Sequence, residues 1–225
     1  MDGPHRAEGQ VIKPYYQDDY VTLFLGSCLE VCDWKLADVL ITDPPYGMAY
    51  VSSKTKRDRP IAGDETTEVR DQMLSMWGSD KPAAVFGTWK APRPVSITNR
   101  LIWDKSDGTG PGMGDLNQCF GHSDEEIYLF GKWPKKDKRY GSVIRTSVGI
   151  SGLATSIGHP TPKPLDIMQF LIAQAPDGVI ADPFSGSGST LVAAKALNRK
   201  AIGVELEERY CEIAAKRCSQ ETLAL

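Results

Sequence analysis

The chain lacks the features of several protein classes. None of its apolar runs approaches the roughly 18–20 residues that cross a bilayer, and residues 1–19 are polar, without the apolar stretch of a secretory signal. Its five cysteines form no Cys-x-x-Cys pair, and it has only three histidines. We therefore expect free thiols, no metal site, and a soluble, cytoplasmic protein.

The chain also lacks a strong net charge, since 26 basic residues face 29 acidic residues and give a formal net charge of -3. Its basic residues are nevertheless concentrated in two short segments. The first contains Lys54, Lys56, Arg57 and Arg59, and the second contains Lys132, Lys135, Lys136, Lys138, Arg139 and Arg145. This distribution is typical of a protein with one anionic partner on one face, although solvated surface loops would give the same pattern.

The chain has the length and composition of one globular domain, with 225 residues, 41% of them hydrophobic and 24% charged. Short apolar segments predict strands at 20–25, 38–42, 83–87, 97–104, 126–131, 179–182 and 201–205. Helical patterns lie at 66–77, 164–174, 188–197 and 207–218. Strands that alternate with helices predict a three-layer α/β/α fold with a mostly parallel sheet.

The segments between these elements are predicted loops at 49–64, 106–114 and 132–158. The last is basic at first and then rich in Gly, Ser and Thr, so it is the best candidate for an inserted recognition element. We expect the tryptophans outside it to pack in the core; they are Trp34, Trp77, Trp89 and Trp103.

The first motif with chemical content is Asp43-Pro44-Pro45-Tyr46, which follows the apolar run 37–42. Two prolines fix φ and stiffen the turn. Asp43 offers a carboxylate, the turn offers backbone carbonyls, and Tyr46 offers a ring face for stacking. The motif therefore predicts a platform for a planar base that bears an amino group. The alternative is a proline turn that ends a strand, with a capping aspartate.

The second motif, 182–190, reads Asp-Pro-Phe-Ser-Gly-Ser-Gly-Ser-Thr and follows the apolar run 178–181. Its glycines allow a tight turn and close approach of the backbone to a ligand. Leu191 stands where the third glycine of a dinucleotide site would fall, which favours a smaller nucleoside with a charged amino-acid tail. Asp182 suits an ammonium group, and Glu205, at the end of the next strand, suits ribose hydroxyls.

Together these residues resemble the motifs of the beta-class DNA amino-methyltransferases, which use S-adenosylmethionine. Residues 43–46 are similar to the DPPY motif of that family and 184–188 to its FxGxG motif. Residues 159–164 resemble the segment that precedes FxGxG, and Glu205 with Tyr210 resembles the strand-end acid and the tyrosine that follows it. The catalytic motif comes first and the cofactor motif last, which is the circularly permuted order of the beta class.

The resemblance implies a Rossmann-like, mostly parallel sheet of seven strands, one of them antiparallel, in a single catalytic domain over 1–225. It implies a small target-recognition insert at 132–158. The expected catalytic residues are Asp43, Pro44, Pro45 and Tyr46. The expected cofactor-binding residues are Asp182, Phe184, Ser185, Gly186, Ser187, Gly188, Thr190 and Glu205, with His159, Thr161 and Lys163 near the cofactor carboxylate. The expected DNA-binding residues are Lys54, Lys56, Arg57, Lys132, Lys135, Lys136, Lys138 and Arg139.

The function that we predict is methyl transfer from S-adenosylmethionine to N6 of adenine in DNA, because Asp43 leans towards adenine, whereas cytosine enzymes more often carry serine there. An N4-cytosine methyltransferase and a non-catalytic DNA-binding protein on the same fold remain alternatives. The expected partner is double-stranded DNA with a flipped target base. The family also implies a homodimer, and we expect a bacterial or phage origin, with a role in restriction-modification.

Overall fold

The computed structural model describes residues 12–48, 64–105, 119–146, 157 and 162–220. The strands are β1 (Tyr16–Gln17), β2 (Val21–Leu25), β3 (Val39–Thr42), β4 (Ala83–Gly87), β5 (Asn99–Asp104), β6 (Asp124–Phe130), β7 (Val143–Arg145), β8 (Ile180–Asp182) and β9 (Ala201–Glu205). The helices are α1 (Glu68–Trp77), α2 (Leu165–Gln174), α3 (Ser189–Ala196) and α4 (Glu208–Ser219), with a 3-10 turn at Asp33–Leu36. No helix in these ranges has both the length and the apolar character to cross a membrane.

All nine strands form one sheet in the order β1-β2-β9-β8-β3-β4-β6-β5-β7. The seven strands from β2 to β5 are the predicted ones, and within them only β6 runs antiparallel to its neighbours. The predicted fold class is therefore confirmed. The two edge strands were not predicted, since two or three residues are too short to show an alternating pattern. Strand β7 falls inside 132–158, so part of the predicted insert extends the main sheet.

The sheet is covered by helices on both faces, which gives the three layers. Helices α2, α3 and α4 pack on one face, and α1 with the 3-10 turn packs on the other. Strands β3 and β4 are buried along their whole length, as expected for parallel strands under helices. Three of the four tryptophans expected in the core are buried there, but Trp89 is not, and 59% of its surface is exposed.

The strand directions give the sheet two unlike edges. Every strand except β1 and β6 points the same way, so the residues after β3, β4, β5, β8 and β9 meet at one edge, which we name the carboxyl edge. The antiparallel β6 begins at this edge and ends at the opposite one, the amino edge. Functional residues of open α/β sheets collect at the carboxyl ends of the strands, and both sequence motifs lie there.

Candidate active site

The turn 43–46 leaves β3 at the carboxyl edge, and its acidic side chain lies in a ring of polar partners. The hydroxyl of Tyr46 donates to Asp43 Oδ1 at 2.5 Å, and the ammonium of Lys163 donates to Asp43 Oδ2 at 2.5 Å. The Asp43 side chain retains 23% exposure, so a substrate can still reach it. Backbone N–H groups of Gly47 and Met48 donate to Asp64, which fixes the end of the turn.

The Lys163 side chain is buried, with 8% exposure, and lies between two carboxylates. Its Nζ is 2.5 Å from Asp43 and 3.3 Å from Glu125, which also pairs with Lys105 at 3.0 Å. Two ammonium groups therefore balance two carboxylates. The resemblance predicts Lys163 near the cofactor carboxylate, and this structure places its ammonium against Asp43 in the turn 43–46.

This charge cluster determines the protonation of its members. Burial raises the pKa of Asp43 above its ordinary value, and the ammonium of Lys163 opposes that rise. Burial would likewise raise the pKa of Glu125, but Lys163 and Lys105 hold it below its ordinary value. Lys163 itself has a raised pKa because Asp43 and Glu125 outweigh the effect of burial. Lys163 therefore stays protonated and favours the ionised form of Asp43.

The second motif forms a tight turn between β8 and α3. Gly186 and Gly188 have φ of 49° and 80°, in the left-handed region that favours glycine. A Cβ on Gly188 would lie 2.9 Å from the Ala214 Cβ in α4, so packing also demands glycine there. Gly188 N–H donates to the Ser185 carbonyl at 2.7 Å, and Ser185 N–H to the Val204 carbonyl at 2.9 Å. The turn is thus held mainly by its own backbone and by β9.

Glu205 ends β9 and braces this turn. Its Oε2 accepts the N–H of Gly186 at 2.8 Å and its Oε1 accepts the N–H of Glu207 at 2.8 Å. Burial raises the pKa of this carboxyl. Each oxygen has a second lone pair, so Glu205 can accept further hydrogen bonds from a pair of ligand hydroxyls.

The remaining predicted cofactor residues have different surroundings. Asp182 and Thr190 are buried together at the base of the turn, while Phe184 is half-buried against the second core cluster. The Ser187 hydroxyl and carbonyl accept from Arg217 in α4, so this serine faces the helix. Arg217 was not predicted.

One hydrogen bond joins the two turns. Strands β3 and β8 are parallel neighbours, and Thr42 Oγ1 donates to Asp182 Oδ1 at 2.6 Å. Burial raises the pKa of Asp182 to about 6, although hydrogen bonds from Thr190, Thr42 and the Phe184 N–H lower it. The two motifs, about 140 residues apart in sequence, thus form a single site.

The chemistry of this site fits S-adenosylmethionine. Asp182 is a buried carboxylate suited to the ammonium of an amino-acid tail, and Glu205 is suited to ribose hydroxyls. The glycine turn between them lets backbone approach a ligand without a side chain in the way. The predicted residues His159 and Thr161 lie outside the described residues, as do Lys54, Lys56 and Arg57.

The basic residues of 132–139 lie away from the site. They follow β6 at the amino edge, and Lys136 lines a cleft with Asp177 and Arg199, which precede β8 and β9. The side chains of this segment that are predicted to bind DNA are exposed; they are Lys132, Lys135, Lys136, Lys138 and Arg139. The structure does not bring them to Asp43, and their role in DNA binding stays a prediction.

Sequence reasoning missed several members of the site. Glu125 and Lys105 belong to the charge cluster, and Thr42 links the two turns. A signal existed for Glu125, since two glutamates at the start of an apolar strand are unusual and one of them must be paired if buried. Thr42 and Lys105 carry no such signal, because a single polar residue at a strand end is common.

Comparisons with known proteins agree with this geometry. The N6/N4 methyltransferase family model, described as DNA methylase, matches residues 37–216. The type II methyltransferase M2.DpnII of Streptococcus pneumoniae is 33% identical over 254 residues, covering 93% of each chain. The type II methyltransferase M.HinfI of Haemophilus influenzae is 43% identical over 261 residues, covering 92% of this chain and 70% of its own.

Solved structures share the fold at lower identity. The M1.HpyAVI–SAM complex superposes with a TM-score of 0.60 at 21% identity, covering 88% of this chain and 99% of the other. PvuII DNA methyltransferase, which is cytosine-N4-specific, gives a TM-score of 0.66 at 17% identity, covering 94% of this chain and 91% of the other. The match of the family model to most of the chain, together with the identity to M2.DpnII, shows that this protein belongs to the N6/N4 family of S-adenosylmethionine-dependent DNA methyltransferases.

Proposed function

We propose that the protein transfers the methyl group to the exocyclic N6 of adenine in double-stranded DNA, with the target base flipped out of the helix. The observation that carries the proposal is the Asp43 carboxylate, paired with Lys163, beside the Tyr46 ring and joined through Thr42 to the turn 184–188. The choice of adenine over cytosine rests on aspartate at position 43.

The residues of the catalytic turn act on the amino group of the base. That group has two N–H donors and a lone pair delocalised into the ring. The Asp43 carboxylate accepts one N–H and a backbone carbonyl of the proline turn accepts the other, which draws the nitrogen towards sp³ and frees its lone pair. The nitrogen would form a bond to the methyl carbon as the carbon–sulfur bond of the sulfonium breaks and the sulfur leaves as a neutral thioether. The nitrogen would then lose one proton, which Asp43 would accept. The rigid turn supplies alignment, with reacting atoms about 3–3.5 Å apart.

The residues of the cofactor turn hold S-adenosylmethionine. Asp182 binds the ammonium of its amino-acid tail, Glu205 binds the ribose hydroxyls, and the backbone of residues 184–188 packs against the nucleoside. When bound, the cofactor supplies a methyl group on positively charged sulfur, so no further activation is needed.

A flipped base costs a few kcal/mol of lost stacking and pairing, which phosphate contacts from the basic segment at 54–59 help to offset. The segment 132–158 as a recognition element, and a homodimer, remain predictions of the family resemblance.

The test is mass spectrometry of nucleosides from unmethylated DNA incubated with the protein and S-adenosylmethionine, with an Asp43→Ala sample as control. N6-methyladenine that depends on Asp43 would support the proposal. N4-methylcytosine would retain the reaction class and refute the choice of base. Cofactor binding by calorimetry without any methylated nucleoside would favour a non-catalytic DNA-binding protein.

A further inference from the structure

The turn that follows β4 holds an exposed tryptophan at the carboxyl edge. Trp89 has 59% of its surface exposed, whereas Trp34, Trp77 and Trp103 are buried. Strand β4 is the immediate neighbour of β3, with Val85 opposite Thr42. Trp89 therefore lies one strand away from the catalytic turn.

The groups around the Trp89 ring are cationic or aromatic. The Lys90 ammonium is 5.7 Å from the ring centroid, and the His122 ring is 6.1 Å away at a tilt of 48°. Lys90 Nζ and His122 Nε2 are 3.2 Å apart. Among the described residues, no carboxylate lies within ion-pair distance of Lys90, so its charge is available to an anionic partner.

The turn itself is firmly held, so the exposure of Trp89 does not reflect a loose segment. Arg93 donates two hydrogen bonds to Glu126, at 3.1 and 2.7 Å, and Arg70 donates to the Pro92 carbonyl at 2.9 Å. Tyr128 donates to the same Glu126 carboxylate at 2.5 Å. A pre-organised aromatic side chain loses little conformational freedom when it binds.

Strand geometry places this patch within reach of DNA at the active site. Trp89 follows the last residue of β4 by two positions and Asp43 follows β3 directly. Because β3 and β4 are parallel neighbours about 5 Å apart, both residues lie at the carboxyl edge after adjacent strands. DNA that places its target base at Asp43 therefore has neighbouring nucleotides within reach of this part of the edge.

We propose that Trp89 stacks on a nucleobase close to the target nucleotide, while Lys90 and His122 contact the adjoining phosphates; this inference rests on the proposed function. Aromatic rings beside cationic groups are the usual platform for exposed bases, because every base offers a π face and every nucleotide a negative charge. The Lys90 ammonium beside the ring favours a partner with negative charge, such as DNA.

Tyr140 provides a matched control at the opposite edge. Its ring is 43% exposed, with Lys138 Nζ 4.9 Å from its centroid and Phe170 edge-on at 5.1 Å. Tyr140 follows the basic segment that leaves β6 at the amino edge. The same chemistry therefore occurs at both edges, and only one of them adjoins Asp43.

The experiment compares Trp89→Ala, Trp89→Phe, Lys90→Ala and Tyr140→Ala with the wild-type protein. Methylation rates with labelled S-adenosylmethionine on unmethylated plasmid DNA give KM for DNA and kcat at several salt concentrations. Calorimetry of S-adenosylmethionine without DNA checks that each variant is folded. DNA-induced quenching of tryptophan emission, compared between wild type and Trp89→Phe, reports stacking directly.

We expect Trp89→Ala to raise KM for DNA about tenfold or more, since stacking on one base contributes that much. Trp89→Phe retains most of the affinity but loses the quenching, whereas Tyr140→Ala keeps the DNA-induced quenching because Trp89 is intact. Because Trp89 has no charge, its loss leaves the salt dependence unchanged, whereas Lys90→Ala lowers the slope of log K against log salt by about 0.9.

Equal KM values for Trp89→Ala and wild type would overturn the inference while the proposed function stands. A change of sedimentation coefficient in Trp89→Ala, with unchanged KM, would assign the patch to a protein interface instead and also overturn it. A wild-type protein that shows Trp89-dependent quenching by DNA but methylates no base would support the contact and refute the proposed function.

Discussion

The catalytic turn and the cofactor turn follow neighbouring parallel strands, yet different forces hold them. Residues 184–188 are fixed by backbone hydrogen bonds, by the Glu205 carboxylate and by glycine packing against α4. Residues 43–46 lie against Lys163 and Glu125, and Lys105 pairs with Glu125. In the proposed function, residues 184–188 bind the cofactor through their shape, and residues 43–46 supply a controlled charge.

The largest expected effect is the fall in methylation rate when the Asp43 carboxylate is removed. We expect Asp43→Ala to lower the methylation rate by about 10³-fold, because the amino group loses its acceptor, while the dissociation constant of S-adenosylmethionine stays unchanged by calorimetry. Asp177→Ala, at an exposed site on the amino edge, is the matched control. Appreciable activity of Asp43→Ala would show that the turn serves structure alone.

The second test removes Glu205, the carboxylate at the end of β9 that braces the turn 184–188. We expect Glu205→Ala to weaken S-adenosylmethionine binding about 10²-fold, the loss of one or two hydrogen bonds to a charged group, with kcat retained at saturating cofactor. Glu208→Ala, exposed in the first turn of α4, should bind normally. A variant with lower kcat but unchanged affinity would contradict the division between the two turns.

Cofactor affinity should also depend on pH through Asp182, whose pKa is raised to about 6. The ionised carboxylate binds an ammonium and the neutral acid does not, so affinity should be full above pH 7 and fall up to about tenfold per unit below pH 6. Thr42→Val removes a hydrogen bond that favours the ionised form and should move this fall to higher pH. Calorimetry from pH 5 to 8 gives both profiles, and a flat profile would exclude Asp182 as the ammonium ligand.

The smallest effect concerns the charge around Asp43. Glu125 raises the pKa of Asp43 by like-charge repulsion, so Glu125→Gln should lower that pKa and move the acid limb of the rate profile to lower pH, with a few-fold gain in rate there. Lys163→Met removes the opposing cation and should move the limb to higher pH. Glu212→Gln, exposed on α4, is the control. Shifts in the same direction for both variants would exclude this electrostatic account.

The two turns also differ in how far the sequence predicts them. The turn 184–188 can be predicted from nearby residues, because Gly186 and Gly188 allow its backbone conformation and Glu205 ends the next strand. The fold can be predicted from the apolar strands that alternate with helices. The cluster at Asp43 depends on Glu125 and Lys163, about 80 and 120 residues away, which only the sheet order brings together. No local pattern reports such a contact, and the position of Lys163 near the cofactor carboxylate stays a prediction of the family resemblance.

Exposure was harder to predict than position. Trp89 follows an apolar strand and was expected in the core, but the strand ends at Gly87 and the turn after it leaves the sheet. Strand β7, within the predicted insert, is defined only by its pairing with β5. Both cases depend on tertiary contacts that hydrophobic periodicity does not report.

The sheet order has a consequence for how the chain folds during synthesis. Strands β2 and β3 are made early, but β9 and β8 lie between them and are made last. At about 5–20 residues per second, the ribosome needs on the order of ten seconds or more to pass from β3 to β9. During that time the inner edges of two apolar strands stay unpaired, and unpaired edges invite pairing with other chains. The permuted order thus leaves the inner edges of β2 and β3 open to incorrect pairing until the last two strands are made.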